Sequence, residues 1–183
     1  GPPVTVTGVN IIFVIDISKS MFVQGGGMET NGRIRRLLIA MAKEIKKYAD
    51  QAKIPTKVST LYYADPTNPK NQKGAEKRFW EIGLKHETDL DKLVRDFETV
   101  NRNAWAIGKD CPESGLTAMS KALDLLFDHS ELNGKPIENS IILVSDDVQK
   151  ADDAPGSATC PKSHPNFKEV KISDLRKQLN RLN

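Results

Sequence analysis

Three oxygen-bearing side chains, Asp16, Ser18 and Ser20, stand at alternate positions directly after the apolar run Ile11 to Ile15. A carboxylate with two hydroxyls suits a hard cation such as Mg²⁺, which takes oxygen ligands and keeps some of its waters. The run itself, bounded by polar residues, is the pattern of a strand buried on both faces, as in the middle of a parallel sheet. Ligands of open α/β sheets bind at the carboxyl ends of such strands. Asp16, Ser18 and Ser20 are therefore placed where a site belongs.

Other chemistries fit less well. Gly25, Gly26, Gly27 and Gly32 follow the first strand, but neither the phosphate-loop nor the dinucleotide-binding glycine spacing is present. They read as a flexible loop beside the metal. A haloacid-dehalogenase phosphatase also puts Asp after its first strand, but it needs a second Asp at position 18, where this chain has Ser. His86, His129 and His164 are scattered, without the arrangement of a Ser/His/Asp triad. No catalytic residue is assigned, and a non-enzymatic role is expected.

The elements that must position these residues follow from periodicity. Ile34, Leu37, Leu38, Met41, Ile45 and Tyr48 recur at helical spacing and predict a helix over about 33–52. Val58 to Tyr63 reads as a second strand, Asp65 to Gly74 as a loop or turn, and Arg78 to Leu84 as a weaker edge strand. Thr88 is the expected N-cap of a helix with the stripe Leu90, Leu93, Val94, Phe97 and Val100. Asn101 to Pro112 is irregular, and residues from Glu113 onward enter a helix with Met119, Ala122, Leu123, Leu126 and Phe127 inward. Ser140 to Val144 reads as a second fully buried strand, and 148–166 as a long surface loop. A short strand at Val170 and Ile172 should precede a helix capped by Ser173-Asp174 and carrying Leu175, Leu179 and Leu182. Strands alternating with helices imply an α/β fold, a mainly parallel sheet with helices on both faces and one antiparallel edge strand.

Three separated pieces carry a family resemblance. D-x-S-x-S at Asp16, Ser18 and Ser20 is the first. Gly115-Leu116-Thr117 with Ala122-Leu123 is the second, and Ser145-Asp146 at the end of a late strand is the third. Together, in this order, they resemble the metal-ion-dependent adhesion site of von Willebrand factor type A (VWA) domains, whose sheet is Rossmann-like and doubly wound. The resemblance implies Ser18, Ser20 and Thr117 as hydroxyl ligands, with Asp16 and Asp146 supplying charge through waters or hydrogen bonds. Asp147 stands where the family usually has glycine, and it would add negative charge beside the ion.

What the resemblance implies about function is a metal-dependent protein-binding or adhesion module. Mg²⁺, with Mn²⁺ or Ca²⁺ as alternatives, would be completed by an Asp or Glu of a protein partner, and Gly25–Gly27, Trp105, Asp147 and the loop of Cys160 would set specificity. The alternatives are a VWA subunit of an intracellular machine (an AAA⁺-type chaperone or a DNA-related complex) and, behind it, a metal-dependent phosphoesterase.

Composition bounds these readings. The 183 residues, 38% of them hydrophobic, suit a single domain over 1–183, with residues 1–8 read as a cleavage remnant or leader segment. With 27 basic and 24 acidic residues, net charge is only +3, so no nucleic-acid partner is expected. No run approaches the ~20 apolar residues of a membrane span, so no membrane insertion is expected. Cys111 and Cys160 fall in loops on the metal-bearing face. A disulfide between them would imply an extracellular, periplasmic or cell-surface protein. Two separate thiols, with a cytoplasmic setting, and a zinc site using Cys160 with His164 are the alternatives.

Overall fold

The computed structural model describes residues 7–64, 80–102, 115–126, 137–145 and 170–182. Its centre is β1 (Gly8–Asp16), which pairs in parallel with β2 (Thr56–Tyr63) on one side and β4 (Ile137–Val144) on the other. The short β3 (Trp80–Ile82) runs antiparallel along the outer edge of β2, giving the order β3-β2-β1-β4. The expected mixed α/β sheet with an antiparallel edge strand is thus present.

β1 is buried because its two faces are both apolar and both covered. Alternate residues of a strand face opposite sides, so Ile11, Phe13 and Ile15 share one cluster while Ile12 and Val14 belong to the other. Helices α2 (Arg33–Ala52) and α3 (Leu90–Thr99) cover the first face through Leu38, Ala42, Leu93 and Phe97, with the Phe97 ring edge-on to Phe13 at 5.1 Å. Helix α4 (Gly115–Ala122), continued by a 3-10 turn (Leu123–Leu125), covers the second through Ala118, Ala122 and Leu125. The last helix, α5 (Ile172–Leu182), is tied to α4 by the Ser120 hydroxyl, which donates to Gln178 Oε1 at 2.6 Å.

Several expected details are corrected. In α2 the stripe runs through Leu38 and Ala42, and Leu37 and Tyr48 face solvent. Asp89, not Thr88, caps α3, because its carboxylate accepts the Asp91 amide at 3.0 Å. The 3-10 turn rotates the end of the α4 stripe so that Leu125 is buried and Leu126 only half-buried. Ser140 to Val144 is half-buried rather than fully buried, since β4 is the edge strand among the described residues. Val170 is not in a strand, and α5 begins at Ile172, ahead of the expected Ser173-Asp174 cap. Part of the expected loop 21–32 is helical, as α1 (Lys19–Phe22).

The chain leaves β1 for β2 on one side, while β4 pairs on the other. The strand order therefore reverses direction between β1 and β4, which is where open α/β sheets form a crevice at their carboxyl ends.

Candidate metal centre

At that reversal β1 ends in Asp16, which is fully buried. Asp16 sits there because β2 holds the backbone beside it: Asp16 is in register with Tyr63, and the Ile17 amide donates to Tyr63 O at 2.8 Å. The Asp16 Oδ1 accepts the Ser18 amide at 2.7 Å, a turn that brings the chain out of the strand. Asp16 Oδ2 lies 3.5 Å from the Ser145 hydroxyl, just past the end of β4. The carboxylate thus bridges the two strands that flank the crevice.

Ser18 is buried and starts α1; Ser20, one position into that helix, is exposed. Their hydroxyl oxygens are 3.1 Å apart. That is a hydrogen bond between the two hydroxyls, and it holds their oxygens at about the spacing of neighbouring ligands around a hard divalent cation.

Thr117 lies near the start of α4, which covers one face of β1 and is fixed at its far end. Near the start of β1, Asn10 Nδ2 donates to Leu125 O at 3.0 Å and to Asn139 Oδ1 at 3.0 Å, so the last turn after α4 is fixed at the opposite edge. From Leu125 back to Thr117 is about 12 Å at 1.5 Å per residue. Ala118 and Ala122, both small, let the helix lie close on Ile12 and Val14. Thr117 is 6% exposed, and its hydroxyl oxygen accepts the Val170 amide at 2.8 Å.

The glycine loop is more closely built than its composition suggests. Gly25 and Gly27 have φ of +83° and +105°, and a side chain on Gly26 would overlap the Ser20 carbonyl oxygen. The Met28 amide donates to Met21 O at 2.7 Å, and Met28 itself is fully buried. The Glu29 carboxylate accepts the Gly27 amide at 2.7 Å, and its own backbone amide first, with that of Gly27 second, lowers its pKa. The expectation of a loop with little to set its shape is therefore corrected.

Arg35 locks this loop to the rest of the fold. Its guanidinium donates to the carbonyls of Met28, Phe97 and Val100 at distances from 2.6 to 3.1 Å, and to Glu98 O at 3.3 Å. The cation sits at the carboxyl end of α3, where unsatisfied carbonyls and the helix dipole favour it. Burial lowers its pKa from the usual arginine value. Nothing in the sequence marked this residue, since its acceptors on α3 are more than 60 positions away. In the sequence Ser145 is only one residue of a motif, and its bond to Asp16 likewise depends on the β1–β4 pairing.

The structure therefore brings together Asp16, Ser18 and Ser20 and adds Ser145, while Thr117 lies on α4 and is joined to Val170. Asp146, Asp147, Trp105, Cys111, Cys160, His129 and His164 lie outside the described residues. His86 lies at the other edge, donating through Nε2 to Leu125 O at 2.7 Å, and takes no part. Among the described residues no three His, Cys, Asp or Glu side chains group as metal ligands. No described helix is long and apolar enough to cross a membrane. No family model matches the chain, and no curated protein matches it.

Proposed function

We propose that the protein is a metal-dependent protein-binding module of the VWA type, holding Mg²⁺ through Ser18, Ser20 and Thr117, with Asp16 and Asp146 balancing charge. The observation that carries this reading is the 3.1 Å separation of the Ser18 and Ser20 hydroxyls beside the buried Asp16 carboxylate. Bound there, Mg²⁺ would supply an electrophilic position that a partner's Asp or Glu completes. Neutral hydroxyl ligands leave the ion's charge largely uncompensated, which favours an incoming carboxylate. Asp16 orients the Ser18 backbone and Ser145 from the protein side, and Arg35 keeps the adjacent loop in place.

The test is calorimetric titration with Mg²⁺ and Ca²⁺, followed by partner capture with and without EDTA. A divalent cation should bind, and chelation should abolish capture. Half-molar salt should only weaken capture, because at about 4 Å of screening length exposed charge pairs fade while a directly coordinated carboxylate does not. Capture that survives EDTA would assign the partner to another surface.

A further inference from the structure

Ser18 and Arg35 stand at the two ends of a short relay of hydrogen bonds. The Met21 amide donates to Ser18 O at 3.1 Å, and the Met28 amide to Met21 O at 2.7 Å. Met28 O in turn accepts Arg35 Nη2 at 2.6 Å and Nε at 3.1 Å. The rest of the guanidinium reaches the end of α3, at Phe97 O, Glu98 O and Val100 O. A guanidinium has five N–H donors in a fixed planar fork. One bond from Nε and two from each Nη engage them all. The Arg35 amide adds a bond to Gly27 O at 2.9 Å. On the α1 side the relay has no slack. Met21 and Met28 are fully buried, and the Gly26 backbone lies so close to the Ser20 carbonyl that a Cβ there would come within 2.0 Å of it. On the α3 side the Val100 amide donates to Asp96 O at 2.9 Å, and the Asp96 carboxylate accepts the Thr60 hydroxyl at 3.0 Å.

We propose that Arg35 is a positioning residue for the metal centre. By clamping Met28 to the end of α3 it fixes the backbone from which the Ser18 and Ser20 hydroxyls project, and it links metal binding to order at Val100. The inference rests on the metal-binding function proposed above and adds to it a residue outside the D-x-S-x-S stretch, acting through Met28 and Met21. A rigid fork satisfies carbonyls of two separate segments only while those segments keep one relative position, a demand that a flexible ammonium does not make. The sign of the effect separates this role from electrostatics. A nearby cation repels Mg²⁺, so if charge alone mattered, removing Arg35 would tighten metal binding. Loss of positioning does the opposite, because Mg²⁺ demands a near-ideal octahedron of oxygens and tolerates little misplacement. Linkage is also reciprocal: what the α3 end contributes to metal affinity through Arg35, bound metal returns as stability of that end.

The test is calorimetric titration of the full chain with Mg²⁺, paired with amide hydrogen exchange in the presence and absence of the ion. Arg35→Met should bind Mg²⁺ at least about fivefold more weakly, the lower end for coupled sites. Arg35→Lys keeps the cation but not the fork, and its affinity should fall as well. Val58→Ala truncates a fully buried side chain in the amino half of β2; it controls for lost stability and should keep the parental affinity. In the parent, saturating Mg²⁺ should slow exchange at both the Met28 and the Val100 amides, and in Arg35→Met at Met28 alone. Circular dichroism checks that each variant is folded, and Arg35→Lys carries the test if Arg35→Met is not. Three results would each overturn the proposal while leaving the metal centre standing. They are parental or tighter Mg²⁺ binding by a folded Arg35 variant, an equal loss in Val58→Ala, and Val100 exchange in the parent that ignores Mg²⁺. A parent chain that binds no Mg²⁺ would overturn both this proposal and the metal centre.

Discussion

The Thr117 hydroxyl accepts the Val170 amide at 2.8 Å, so a side chain expected as a metal ligand also fastens the segment that leads into α5. Thr117→Ala should therefore cost both metal affinity and about 1 kcal/mol of stability, the usual contribution of a hydrogen bond such as the one to the half-buried Val170 amide. Thr117→Ser retains the oxygen and should recover most of both. Urea unfolding and Mg²⁺ titration of the two variants check this. A Thr117→Ala chain with parental Mg²⁺ affinity would remove Thr117 from the centre and leave it only the tether.

Asp16 calls for a milder substitution than alanine, because it is fully buried and holds the Ser18 amide at 2.7 Å. Asp16→Asn keeps an acceptor for that amide while removing the charge. Its metal-free stability should stay within about 1 kcal/mol of the parent, in line with a hydrogen bond that survives in neutral form. Its Mg²⁺ heat signal should vanish. A calorimetric isotherm like the parent's would refute the assignment of charge balance to Asp16.

Arg35→Met replaces the aliphatic stem but leaves the carbonyls of Met28, Phe97, Glu98 and Val100 without their cationic donor. Hydrogen bonds to a charged group contribute about 1.5–3 kcal/mol, and the loss here should be about 2–3 kcal/mol. The change should also be local: faster hydrogen exchange at the Met28 amide, which donates to Met21 O. If exchange in 21–32 stayed at the parental rate, the loop would not depend on Arg35 for its shape.

Tyr62 predicts an alkaline limb. Its hydroxyl donates to Asp96 Oδ2, and burial first, with the neighbouring Asp96 carboxylate second, raises its pKa well above 10. In the unfolded chain the phenol ionises near pH 10, so above that pH the unfolded state binds fewer protons than the folded one. Stability is then fully present below about pH 10 and falls as pH rises from there toward the folded pKa. Tyr62→Phe should be less stable at pH 8, having lost the bond to Asp96, yet show a shallower decline between about pH 10 and 11. Parallel decline of parent and variant in urea midpoints over that range would contradict the account.

Local pattern was enough for the parts of this protein that depend on neighbouring residues. The alternation along Ile11 to Ile15 shows a strand with two apolar faces whichever strands flank it, because side-chain direction follows from the backbone alone. Helices α2 and α3 were legible from their stripes within a few residues, and the D-x-S-x-S spacing places Asp16, Ser18 and Ser20 together through a turn the residues themselves form. Tertiary structure decided what those elements meet. Leu37 and Leu38 are both leucine, but the packing of α3 and the sheet buries one and leaves the other in solvent. The Thr117 oxygen bonds whichever donor arrives, and Val170 arrives only because α5 docks on α4. Arg35 is an ordinary helix cation until the fold sets the carboxyl end of α3 beside it, since contacts between distant residues depend on how the elements pack and leave no period in the sequence.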